Sequence, residues 1–148
     1  MKSKILVVED NDLSREMLCD WLELKGFAVD SASSLSEAFA AVERREPDVV
    51  LLDVKLGADD GLSLAAWLRL DSTRQRIVVI AVTAHAMLTE QERILRAGCN
   101  ACISKPIDFP LLLEQLNQWL TVRLVMSRAS CCDSQAFGAT LCGNGSRR

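Results

Sequence analysis

Five side chains in this sequence combine chemical character with a shared setting, because each stands at the end of a short, mostly apolar run. Glu9 and Asp10 follow Lys4 to Val8, Asp53 follows Val49 to Leu52, Thr83 follows Ile77 to Val82, and Lys105 follows Ala101 to Ser104. If the runs are neighbouring strands, three acids, a hydroxyl and an ammonium share one rim. Carboxylates held that close repel one another, and a hard divalent cation relieves the repulsion; Mg²⁺ takes a few carboxylates, a backbone carbonyl and retained waters. Such a cation also offsets charge while a carboxylate attacks a phosphoryl group, and lysine supplies a point charge for carboxylate or phosphoryl oxygens. Among the three acids, Asp53 has the most constrained setting. The run Val49 to Leu52 does not alternate, as in a strand covered on both faces, and an unpaired ionised carboxylate is too costly to follow it inside. Asp53 is therefore expected to emerge at the carboxyl end of its strand, where open α/β sheets place ligands.

The elements that must position these residues follow in order. Lys4 to Val8 predicts a first strand, and Leu13, Met17, Leu18, Trp21, Leu22 and Leu24 recur at helical spacing before Gly26 stops the helix. Phe27 to Ala32 predicts a second strand, and Ser34 with Glu37 marks the capping box of a second helix. After Pro47 comes the Val49 strand, then a helix from Gly61 carrying Leu62, Leu64, Ala65, Trp67 and Leu68. Ile77 to Val82 predicts the fourth strand, Thr89 with Glu92 a further capping box, and Gly98 the end of that helix. Ala101 to Ser104 is the fifth strand, and Asp108 caps a last helix with Leu112, Leu113, Leu116, Trp119 and Leu120. Repeated βα units predict an α/β fold of the doubly wound, flavodoxin-like kind, a five-stranded parallel sheet in the order 2-1-3-4-5 with helices on both faces.

The 148 residues, 49% hydrophobic and 25% charged, fit one soluble domain at 1–120 with a short tail at 121–148. Val122, Leu124, Val125 and Met126 suit a short extension of the last helix, with disorder expected beyond Ser127. In the tail, Arg123, Arg128, Arg147 and Arg148 outnumber Asp133 by three, which leaves the folded part at -6 of the total -3. An acidic domain argues against direct nucleic-acid binding. No apolar run reaches the length of a membrane span, and the amino terminus turns acidic before any cleavage site, so the chain is expected in the cytoplasm. Among Cys19, Cys99, Cys102, Cys131, Cys132 and Cys142, the CxxC spacing of Cys99 and Cys102 has no second CxxC to pair with and only His85 for company, which suits reduced thiols rather than a zinc site.

With Asp10, Asp53, Thr83 and Lys105-Pro106 in this order, the sequence from about 4 to 120 resembles a response-regulator receiver domain of two-component or phosphorelay signalling. The resemblance implies that Asp53 accepts a phosphoryl group from a phosphohistidine on a histidine kinase or histidine phosphotransfer protein. It further implies Mg²⁺ held by Asp10 and Asp53, by Glu9 mainly through water, and by the backbone carbonyl of Lys55. Thr83 would hydrogen-bond the phosphoryl group, Lys105 would pair with it, and the Lys105-Pro106 peptide would be cis. Output would come through contact with a downstream protein, with a phosphorylation-dependent dimer among the possibilities. His85 and Lys55 occupy positions that tune phosphoryl lifetime in the family. The chain departs from the family pattern twice. Cys102 stands where an aromatic residue often swings inward, and Gly57 replaces a common proline, which is expected to loosen its loop.

Taken singly, the site residues have ordinary explanations: Asp53 as a cap or loop charge, Glu9 and Asp10 as a solvated turn, Thr83 as a strand end, Lys105 as a surface lysine, and His85 as an exposed loop residue. Their combination sets those readings aside for all but His85. The sequence also fits a receiver cut from a hybrid histidine kinase. An aspartyl-nucleophile phosphatase on a similar fold is a weaker alternative, because such enzymes need a second acid two residues after the nucleophile and Lys55 stands there. The expected activity is signalling, with any catalysis limited to the protein's own phosphotransfer and dephosphorylation.

Overall fold

The computed structural model describes residues 2–85 and 87–132, with side chains to 121. Its five long strands are β1 (Lys4–Val8), β2 (Ala28–Ala32), β3 (Val49–Asp53), β4 (Val78–Thr83) and β5 (Ala101–Ser104). Between them run α1 (Asp12–Leu24), α2 (Leu35–Arg44), α3 (Leu62–Leu70) and α4 (Leu88–Arg96), and α5 (Phe109–Cys132) follows β5. All pairings in the main sheet are parallel and place β2 and β3 on either side of β1, then β4 and β5 outside β3, as the alternating βα pattern predicts.

Both faces of this sheet are apolar because successive residues of a strand point to opposite sides. Leu6, Val8, Val50, Leu52, Val79 and Ala81 pack with Ala38, Val42, Leu64, Leu68 and Ile94 from α2, α3 and α4. Ile5, Val7, Val49, Leu51, Val78 and Ile80 face the other way, onto Leu18 and Leu22 of α1 and Leu112 and Leu116 of α5. Trp21 and Phe109 join the outer helices there, with ring centroids 4.9 Å apart.

Helix starts follow local chemistry with one exception. Asn11 accepts from the Ser14 amide to cap α1, and Asp108 accepts from the Leu111 amide at the start of α5. At α2 the Ser34 side chain accepts from the Glu37 amide, while the Glu37 carboxylate reaches back to the Ser33 amide at 2.8 Å. The capping box expected at Thr89 and Glu92 does not form. The Gln91 amide bonds to the Met87 carbonyl at 2.9 Å, so α4 begins at Leu88 and Thr89 falls inside its first turn. At the other end of the chain, α5 runs past Ser127 to Cys132. Neither glycine nor proline interrupts the sequence between Pro110 and Gly138, so a nucleated helix can propagate. The disorder expected further along the tail concerns 133–148, which lie outside the described residues. Among the described residues, no helix is long and apolar enough to cross a membrane.

Candidate functional site

The carboxyl ends of β1, β3, β4 and β5 open onto one cleft of about 610 Å³, lined among others by Glu9, Asp10, Asp53, Thr83 and Lys105. Sheet register brings them together. Asp53 lies beside Val82, Thr83 lies beside Ser104, and the Lys105 amide donates to the Thr83 carbonyl at 2.8 Å.

Asp53 terminates β3 as expected, yet it is 6% exposed rather than standing free of the core. The reason is a partner. Lys105 Nζ donates to Asp53 Oδ2 at 3.1 Å and to Glu9 Oε2 at 3.3 Å, so one ammonium serves two buried carboxylates. The Lys55 amide donates to Asp53 Oδ1 at 3.2 Å, and the Asn11 amide to Glu9 Oε1 at 3.2 Å. Burial pushes the Glu9 carboxyl up, and the neighbouring Asp53 carboxylate adds to that. The Asn11 amide and Lys105 only partly oppose the rise, leaving Glu9 at about 7. For Lys105, burial favours the neutral amine, but hydrogen bonds and charge from Asp53 and Glu9 prevail and hold its pKa above the ordinary lysine range.

Glu9, Asp10 and Asp53 each offer a carboxylate oxygen, and the three lie within 4.8 Å of one another. An all-oxygen, all-carboxylate set of this size suits a hard cation, so the residues present fit a metal of that class. Asp10 is exposed at the rim, where its Oδ2 accepts from the Gly57 amide at 2.9 Å. The loop that Gly57 was expected to loosen is thus tied to Asp10 by this bond. Gly57 has φ +58° and turns a two-residue hairpin in which Lys55 pairs with Asp60 and Leu56 with Asp59, and its amide ties that hairpin to Asp10. Proline has no such donor.

Thr83 is buried, and its hydroxyl is turned onto its own loop, accepting from the His85 amide at 3.0 Å and donating to the His85 carbonyl at 3.1 Å. His85 is an exposed loop residue on the cleft wall. Cys102 is half-buried on β5, and burial raises its thiol pKa, as it raises that of Cys99 to about 12. The Lys105-Pro106 peptide is cis.

Three contacts around the rim were not legible from motif spacing. Asp60 Oδ1 accepts from the Leu62 amide at the start of α3, while Asp60 Oδ2 accepts from Arg93 of α4 at 3.0 Å. Arg15 of α1 donates to the Glu9 carbonyl at 2.9 Å. None of them follows from spacing, because the fold supplies the proximity.

Comparison with known proteins agrees with this geometry. The family model of the response regulator receiver domain matches residues 5–117. The polar-differentiation response regulator DivK of Brucella ovis is 38% identical over 120 residues, covering 81% of this chain and 98% of DivK. Among solved structures, a CheY-like response regulator receiver domain protein from Methanospirillum hungatei superposes with a TM-score of 0.77 at 28% identity, covering 85% of this chain and 99% of that one. The receiver domain of a DNA-binding response regulator from Colwellia psychrerythraea gives 0.76 at 28% identity, covering 81% and 99%. This chain belongs to the response-regulator receiver domains, the phosphoacceptor signalling modules of two-component systems.

Proposed function

We propose that Asp53 is the phosphoacceptor, charged by a phosphohistidine on a histidine kinase or histidine phosphotransfer protein. The observation that carries this reading is the Asp53 carboxylate at the cleft, with Lys105 Nζ at 3.1 Å and two further acids alongside. An Asp53 oxygen forms the new bond to phosphorus while the bond from phosphorus to the donor imidazole nitrogen breaks, and that nitrogen keeps the electron pair. Lys105 holds Asp53 in place beforehand and is close enough to share its hydrogen bonds with an incoming phosphoryl oxygen. Thr83 exchanges its bonds to His85 for one to the phosphoryl group, which moves the loop leading into α4.

Glu9, Asp10 and Asp53, with the Lys55 carbonyl, are the residues assigned to Mg²⁺, which when bound offsets the negative charge of the phosphoryl oxygens. Glu9, buried beside Asp53, is assigned to the cation mainly through water. The free thiols Cys19, Cys99 and Cys102 suit the reducing cytoplasm. Output runs through a downstream protein, and this reading is the same for a stand-alone protein and for the receiver of a hybrid kinase. A phosphatase is disfavoured because Lys55 occupies the place of its second acid.

Incubation with a small-molecule phosphodonor and Mg²⁺, followed by intact-mass measurement, tests the acceptor. One phosphoryl group is expected on the wild type and none on Asp53→Asn. Equal labelling of the two would refute the assignment.

A further inference from the structure

We infer that the backbone amide of Gly57 is a positioning group for the acidic cluster, fixing the orientation in which Asp10 joins Glu9 and Asp53 around a cation. The inference rests on the magnesium reading above and adds a residue to it. Asp10 is exposed on a loop, where a short carboxylate is free to sample several rotamers. The 2.9 Å hydrogen bond from Gly57 to Oδ2 spans 47 positions and leaves the other carboxylate oxygen free.

The donor is itself held. The left-handed φ of +58° at Gly57 turns the hairpin, the pairs Lys55 with Asp60 and Leu56 with Asp59 close it, and Asp60 anchors it to the Leu62 amide and to Arg93. Hydrogen bonds from outside a metal's own ligand set orient those ligands, and losing one commonly lowers metal affinity by about 10- to 100-fold. A side chain at position 57 would meet Asp10 Oδ2 only at 3.9 Å, which is ordinary contact. Space therefore does not demand glycine, whereas the left-handed backbone and the N–H both have functions. Asparagine tolerates that backbone and keeps the donor; proline loses both.

The test uses the full chain without phosphodonor, titrating Mg²⁺ against backbone amide shifts around Asp10 and Asp53. Gly57→Pro is expected to weaken Mg²⁺ roughly tenfold, and Gly57→Asn to stay near wild type. Equal affinity in wild type and Gly57→Pro overturns the inference while leaving the magnesium reading intact. Absence of binding in the wild type removes both. Hydrogen exchange in the wild type gives a readout independent of any variant's folding: the Gly57 amide should remain protected when Mg²⁺ saturates. Loss of that protection would mean that the hydrogen bond competes with the cation, and would overturn the inference.

Discussion

Lys105 Nζ lies 3.1 Å from Asp53 Oδ2 across 52 positions of sequence, and the same ammonium lies 3.3 Å from Glu9 Oε2. The parallel pairing of β4 with β5 sets Ser104 beside Thr83, which delivers Lys105 to the mouth of the neighbouring strand β3. One cation thus sits against two carboxyl groups that are only 3% and 6% exposed, which offsets part of the cost of their burial.

Glu9 makes stability depend on pH. Its carboxyl titrates near 7 in the folded protein against an ordinary 4.5, so across that window the native state holds a proton that the unfolded chain releases. The contribution is fully present below about 4.5 and is lost as pH rises through 7. In metal-free buffer, urea unfolding should show Glu9→Gln gaining about 2 kcal/mol relative to wild type between pH 5 and pH 8. An unchanged difference at the two pH values would contradict the raised pKa.

Gly61 is required for a steric reason. Its φ of -57° is open to any residue, but an added Cβ would collide with the Asp53 carbonyl oxygen, and the Gly61 amide already bonds to the Val54 carbonyl at 2.6 Å. Gly61→Ala must push α3 away from the end of β3. A loss of about 2 to 3 kcal/mol in denaturant unfolding is expected, together with slower phosphoryl uptake at Asp53.

The Thr83 hydroxyl ties the end of β4 to its own loop through His85. Thr83→Ala deletes two hydrogen bonds to His85, and a loss of about 1 kcal/mol is expected. Because the hydroxyl does not touch Asp53 in this structure, phosphoryl incorporation should persist. The change in amide exchange that phosphorylation produces over residues 84–88 should shrink. Full retention of that change would show that the switch does not pass through Thr83.

The order of elements was legible in the sequence because apolar runs and helical spacing are local properties, and the doubly covered strand at Val49 to Leu52 implied helices on both faces. That Glu9, Asp10, Asp53, Thr83 and Lys105 would line one rim was legible because each follows such a run. What failed locally was the Thr89 cap, where a motif of the right composition lost to a helix that starts two residues earlier on the Met87 carbonyl. The Arg93–Asp60 pair and the Gly57 bond to Asp10 were invisible for a different reason, since nothing in residue type says which charges or amides a fold will bring within hydrogen-bond distance.

By itself the sequence determined that carboxylates, a hydroxyl and an ammonium stand at the ends of parallel strands, since hydrophobic periodicity dictates the strands and strand ends dictate the rim. Only the tertiary structure decided that Asp53 is buried rather than exposed. Burial of a charge depends on its partner, and that partner, Lys105, arrives through sheet register from half the domain away. Gly57 changed meaning in the same way, from a loose loop residue to the donor that aims Asp10, once the turn of the hairpin placed its amide 2.9 Å from the carboxylate.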